Sequence, residues 1–199
     1  MSIPLEVVAA PFEIWIGPVG ESFPAIEDAP TGNWVKIGTS GNRSITEDGV
    51  TVQHQQTIEQ FRSLGSTGPI KAFRTEEGLI ITFAIADITL ENYKHALGQN
   101  TVTDTPVGGN AGFRDIDIYQ GLDLDQRALL VRGLNASPYL ADTDIQWQVP
   151  VVYENGSPEI VSQKGTPIVI ALEYIAIEDP NASTADDRFG KIIMMDESV

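Results

Sequence analysis

The sequence predicts an all-β domain: an antiparallel β-sandwich or barrel with one short flanking α-helix, a long inter-strand loop and extended terminal arms. Three observations carry this reading. Apolar residues recur at every second position in about ten short runs. The runs are separated by Gly, Pro, Asn and Asp, the residues whose backbone preferences turn a chain. One stretch alone has apolar residues at helical spacing.

The elements follow in order. Residues 5–9 and 13–16 are extended runs divided by Pro11, and Gly17-Pro18 ends the second. After a loop rich in Pro, Gly and acid, Trp34-Val-Lys-Ile-Gly38 reads as a strand. Residues 50–57 alternate and are led in by Asp48-Gly49, a turn dipeptide. Residues 70–74 and 78–87 are read as two strands flanking Glu76-Glu77-Gly78. The second would reach about 33 Å at ~3.3 Å per residue. Leu79, Ile81, Phe83 and Ile85 share one of its faces, and Ile80, Thr82, Ala84 and Ala86 the other. Two largely apolar faces predict a central strand covered on both sides.

Residues 89–97 are the helical stretch, with Leu90, Tyr93 and Leu97 on one stripe expected to pack against the sheet. Thr89 is the N-cap candidate, Glu91 lies in the first turn, Lys94 and His95 lie in the last, and Gly98 follows as the stop signal. Residues 99–111 read as a polar loop, and strands resume at 113–119, 127–134, 145–153 and 168–177. From Asp179 the composition turns to Pro, Asn, Ser, Thr and paired acids. Residues 1–178 are therefore expected to form the domain and 179–199 a C-terminal arm, whose apolar Ile192 and Ile193 want a partner surface.

Composition narrows the function. A chain of 199 residues that is 42% hydrophobic can bury a core without staples. It has no cysteine, which excludes disulfides, thiol nucleophiles and thiolate metal sites. Its 28 acidic residues against 12 basic ones give a net charge of −16, spread over both halves. Such a surface opposes phosphate backbones and anionic lipid. No run approaches the ~18 apolar residues of a membrane span. The first residues lack the basic start of a signal peptide. The Asn-x-Ser sequons at Asn42, Asn135, Asn155 and Asn181 then read as chance, and the chain is expected to be made and kept in a cytoplasm, away from membranes.

Chemistry-bearing motifs are scarce. His54 and His95 lie in different elements and read as solvated or hydrogen-bonded side chains. The P-loop, nucleophile-elbow and zincin patterns are absent. Glu76 and Glu77 are adjacent, so on a strand or turn they point apart and cannot share a glycosidic bond. Asp115, Asp117, Asp123 and Asp125 around Gly121 could offer oxygen ligands to Ca²⁺, but the terminal bidentate Glu of a calcium loop is missing. Each alternates with Ile or Leu or lies beside one, so a solvated acidic face, apolar in and acidic out, is the simpler account. No catalytic residue, metal or cofactor is expected, and the chain is not read as an enzyme.

Residues 34–98 carry a family resemblance. In order they show Trp34-Val-Lys-Ile-Gly38 after a Pro-rich loop, then Ile45-Thr-Glu-Asp-Gly49-Val50-Thr-Val52, then a long polar segment, residues 53–69. Lys71-Ala-Phe-Arg-Thr-Glu-Glu77 follows, and then a strand running from Gly78 through Asp87 toward Tyr93. With the opening Trp15-Ile-Gly-Pro-Val-Gly20, this pattern resembles the tail tube (major tail) proteins of long-tailed bacterial viruses. The resemblance implies a structural virion protein with a β-sandwich and a flanking helix. Six copies would close a ring whose inner strands join into one barrel, and rings would stack into the conduit through which DNA leaves the capsid without specific binding. The implied partners are further copies of the chain and the tape-measure, tail-tip and tail-terminator proteins. The implied location is the virion tail, assembled in the host cytoplasm.

The same resemblance assigns subunit and ring contacts to the segment 53–69 and to arms 1–11 and 179–199. Read from its residues, 53–69 is longer than compact domains tolerate between strands, so it is either functional or a floppy surface loop. Glu59, Phe61, Arg62 and Leu64 are interface-type anchors within it, with Gly65 and Gly68 allowing close backbone approach. Ile192 and Ile193 are interface candidates in the arm. Asp115, Asp117, Asp123 and Asp125 are the lumen-lining candidates, since acids would repel passing DNA. The competing readings are a carbohydrate-binding β-sandwich of a tail tip, which would display exposed aromatics, and a small hydrolase using the aspartates.

Overall fold

The computed structural model describes residue 8 and residues 10–196. Its strands are β1 (Phe12–Pro18), β2 (Val35–Lys36), β3 (Ile45–Phe61), β4 (Lys71–Ile85), β5 (Val102–Val107), β6 (Asn110–Ile116), β7 (Gln126–Gly133), β8 (Ile145–Glu154), β9 (Ile170–Ala176) and β10 (Lys191–Met194). One α-helical turn, α1 (Leu90–Tyr93), tightens into a 3₁₀ turn over Lys94–Leu97. The molecule is an all-β, sandwich-like fold, as its alternating runs predict.

Eight strands share one sheet in the order β2-β1-β7-β8-β9-β4-β3, with β10 also paired to β8, and β5-β6 form a separate hairpin. Strand β8 is where the sheet forks. Its N-terminal half pairs with β10, Ile145 opposite Met194 through Gln148 opposite Lys191. Its C-terminal end pairs with β9, Val152 opposite Ala176. The leaf β2-β1-β7-β8 and the leaf β9-β4-β3 enclose the core between them. Into it point Ile14 and Ile16 from β1, Leu129 and Val131 from β7, Ile81 and Ile85 from β4, and Leu172 and Tyr174 from β9. Period-two alternation is what places these side chains on one face. Phe83 and Tyr174 stack there, centroids 6.0 Å apart.

The outer face of the first leaf is not solvated. Residues 19–34 lie over it, with Trp34 packed on Phe23 and on buried Ala128 and Leu130. Buried Arg132 ties this loop down. Its guanidinium donates to the carbonyls of Asp28 (2.6 Å) and Ala25 (3.1 Å) and to Gln146 Oε1 (2.9 Å). Gln146 Nε2 in turn donates to the Pro24 carbonyl at 3.1 Å. An irregular loop can lie over a sheet only if its carbonyls find donors, and these two side chains supply them.

Several boundaries differ from the sequence reading. Residues 70–74 and 78–87 are not two strands around a turn: β4 runs unbroken from Lys71 to Ile85, with Glu76 opposite Thr57 and Glu77 opposite Gln56. Of the segment 53–69, residues 53–61 belong to β3, so the loop is the tip of a long hairpin. Residues 99–111 contain β5 and the start of β6, joined at Gly108-Gly109. Strand β4 buries Leu79, Ile81, Phe83 and Ile85, but Ile80, Thr82 and Ala84 are only half-buried and Ala86 is exposed, because their face points away from the core between the leaves.

The helical turn also buries a different face from the expected stripe. Asn92, His95, Ala96 and Leu97 are buried, while Leu90 and Tyr93 are half-buried. Asn92 is drawn inward because its Oδ1 accepts the Gly38 N–H at 2.9 Å and its Nδ2 donates to Thr89 Oγ1 at 2.8 Å. Gly98 takes the left-handed conformation that ends the turn, φ +61°.

Candidate functional site

Strand β4 pairs with β9 only over Ile80–Ile85, and β3 continues with it to Phe61 and Lys71. Beyond Gly78 the two strands therefore form a two-stranded ribbon that leaves the body. At about 3.3 Å per residue the six pairs from Gln56–Glu77 to Phe61–Lys71 extend it about 20 Å. Residues 53–61 and 71–77 are all exposed. Two-stranded hairpins without a packed face are marginal in water. This ribbon is built instead from polar pairs: across the strands Thr57 Oγ1 donates to Glu76 at 3.1 Å and Arg74 to Gln56 at 3.2 Å, and along β4 Arg74 pairs with Glu77 at 2.7 Å. Where it departs, His54, Arg74 and Glu77 of the ribbon face Trp147, Phe189 and Lys191 of the body across a cleft of about 310 Å³.

The predicted anchors lie at the far end. Glu59 pairs with Phe73, and Phe61 with Lys71, which puts these four side chains on one face. Arg62 and Leu64 belong to the tip, where the Ile70 N–H bonds the Phe61 carbonyl at 2.9 Å. Leu64 is fully exposed, and Ile58, Phe61, Ile70 and Phe73 are each about half-exposed. Ile58, Ile70 and Phe73 escape a reading of the segment as a loop. The signal for them is the apolar alternation on both sides of Ser63-Leu-Gly-Ser-Thr-Gly-Pro69, which marks a hairpin rather than two unrelated strands.

Ile192 and Ile193 are in β10, opposite Trp147 and Gln146, so residues 191–194 of the expected arm find their partner within the chain. Gly190 makes this possible. Its φ is +97°, and a Cβ there would lie 1.8 Å from the Gln148 carbonyl oxygen. Residues 1–7, residue 9 and residues 197–199 of the expected arms lie outside the described residues.

The four lumen-lining candidates do not share a strand face. Asp115 is in β6 opposite Thr103, while Asp117 and Asp123 lie in the irregular segment before β7. Asp125 is half-buried and paired with Arg127 at 2.5 Å. The alternation of acid out and apolar in is absent: Ile118, Tyr119, Leu122 and Leu124 are 76%, 80%, 97% and 66% exposed. The segment is nevertheless fixed. Asn100 Nδ2 donates to the carbonyls of Asp117 (2.6 Å) and Tyr119 (3.0 Å), and Gln120 Nε2 donates to the Ala96 carbonyl (3.1 Å). No group of His, Asp and Glu side chains with metal-binding geometry occurs among the described residues.

His54 is exposed on β3, whereas His95 is buried beside Gln99, Nδ1 to Nε2 2.5 Å. Burial, with Lys94 and Arg127 nearby, lowers the His95 pKa to about 3, so it is neutral and structural. Trp34 is buried and Trp15 and Trp147 are half-buried, Trp147 lining the cleft at the ribbon's base.

No known family model matches the chain, and no curated protein matches it. Its fold has a solved counterpart. The chain is similar to one in the cryo-EM structure of the anti-feeding prophage baseplate, six-fold symmetrised. The TM-score is 0.50 over the whole of both chains, at 10% sequence identity. At that identity the likeness is one of architecture. No helix among the described residues is long and apolar enough to cross a membrane.

Proposed function

We propose that the chain is a structural, non-enzymatic subunit of a phage-type tail, and within that class a tail tube protein that self-assembles into stacked six-membered rings around a channel for DNA. The projecting ribbon carries this reading. Its exposed Phe61, Leu64, Ile70 and Phe73 gain nothing in an isolated subunit and everything against a neighbour. The two ends of the sheet order, β2 and β3, add further sites for association between copies. The architecture shared with a chain of a six-fold symmetrised prophage baseplate supports a ring-forming role. On this reading the partners are other copies and the proteins at the ends of the tube, and the location is the virion.

The test is assembly itself. Purified protein, concentrated stepwise and viewed by negative-stain microscopy, should form rings or tubes with an open centre and six-fold end-on views. A chain that stays monomeric at every concentration, or forms closed dimers only, would overturn the reading.

A further inference from the structure

The ribbon tip and the segment 115–125 are complementary in two independent respects. Arg74 is paired with Glu77, and beyond it the tip, residues 58–73, holds Arg62 and Lys71 against a single acid, Glu59, a net +1 in a chain whose total is −16. Residues 115–124 hold Asp115, Asp117 and Asp123 and no base, a net −3, while Asp125 is paired with Arg127. Both display apolar side chains that the fold leaves in water: Phe61, Leu64, Ile70 and Phe73 on the tip, and Ile118, Tyr119, Leu122 and Leu124 on the segment. The segment is also pinned by Asn100 and Gln120, so its apolar residues are held outward rather than free to collapse.

We infer that the ribbon tip of one copy docks on the 115–125 segment of another. The contact is head-to-tail, so each copy uses both surfaces and the assembly can extend or close. The inference rests on the self-assembly proposed above and gives it a donor and an acceptor surface. Apolar burial at the centre and charge pairing at the rim is the usual anatomy of such contacts. It also gives the aspartates a role other than lining a channel: they select a basic tip on an acidic chain.

Charge reversal tests the pairing. One variant carries Arg62→Asp and Lys71→Asp, the other Asp117→Lys and Asp123→Lys. All four side chains are exposed, so both variants should elute and melt as wild type does below the assembly concentration. Each alone should need at least tenfold more protein than wild type to form sedimenting particles. An equimolar mixture should assemble near the wild-type concentration, because an acidic tip then meets a basic segment and the reverse. Failure of the mixture to recover, or either variant assembling as wild type does, would overturn the pairing while wild-type particles keep the self-assembly reading intact.

A second measurement uses the absence of cysteine. Leu64→Cys and Leu122→Cys proteins, mixed and oxidised, should give a crosslinked dimer well above the yield of either alone. Equal yields from the mixture and the single variants would also reject the pairing.

Discussion

Strand β4 passes from one physical setting to another at Gly78. On the C-terminal side Leu79, Ile81, Phe83 and Ile85 are buried against β1, β7 and β9. On the other side all seven residues of 71–77 are exposed, although the ladder to β3 continues past a bulge at Thr75 to Lys71. Both halves are antiparallel ladders; what chiefly differs is burial. The body is held by apolar surface removed from water, and the ribbon only by its ladder and cross-strand polar pairs. The comparison teaches that a regular strand is not by itself evidence of a stable element, and that the ribbon's shape is maintained at a cost an isolated subunit has no reason to bear.

That contrast can be broken most severely in the body. Ile81→Ala should cost about 2–5 kcal/mol, because a fully buried side chain leaves a cavity between the leaves. Chemical denaturation of the monomer would measure it, and a loss below 1 kcal/mol would mean that the leaves are not packed as described. Next is Arg132→Ala, expected to cost about 1–3 kcal/mol by stranding Gln146 Oε1 and the carbonyls of residues 25 and 28. Faster proteolysis between residues 19 and 33 should accompany it.

A smaller effect comes from His95. Its folded pKa of about 3 lies below the ordinary 6.5, so the unfolded chain binds the extra proton first. The stability it contributes is complete above pH 6.5 and is lost as pH falls from there toward 3. His95→Gln should flatten the pH dependence of the melting temperature within that window and leave the value at pH 8 to reflect packing alone. The smallest effect on folding belongs to the ribbon. Phe61→Ala with Leu64→Ala should change monomer stability by no more than about 0.5 kcal/mol, yet abolish assembly. A destabilised monomer would show that the tip folds back on the body.

The body was the legible part of the sequence. Alternation located β1 and β9 to within a few residues because one face of each is the more buried, while β7 and β8 stood out as short apolar runs because both of their faces are largely covered. Where both faces meet water, that signal disappears. Glu76-Glu77-Gly78 looked like a turn because polarity on both faces mimics a loop, and the β5-β6 hairpin vanished into a polar stretch for the same reason. The segment 115–125 misled in the opposite sense. Its alternation of Asp with Ile and Leu imitates a half-buried strand, but Ile118, Tyr119, Leu122 and Leu124 are all exposed. The anchors at Phe61, Arg62 and Leu64 were found by residue type, and their placement at the end of a ribbon came only from the pairing of β3 with β4.

Before any partner arrives, the outer edge of β3 is the longest line of open hydrogen-bonding groups among the described residues, and such an edge invites pairing in any register. Two devices hold it in check. Between Ile45 and Val50 the register against β4 shifts, with Glu47, Asp48 and Gly49 (φ +71°) bending the edge near the body. Farther out residues 53–57 are wholly polar, so a slipped pairing along that stretch would bury little apolar surface and gain little. The edge of an unassembled copy is thus hard to pair wrongly, and a neighbour that docks in the correct orientation has to offer more than backbone bonds.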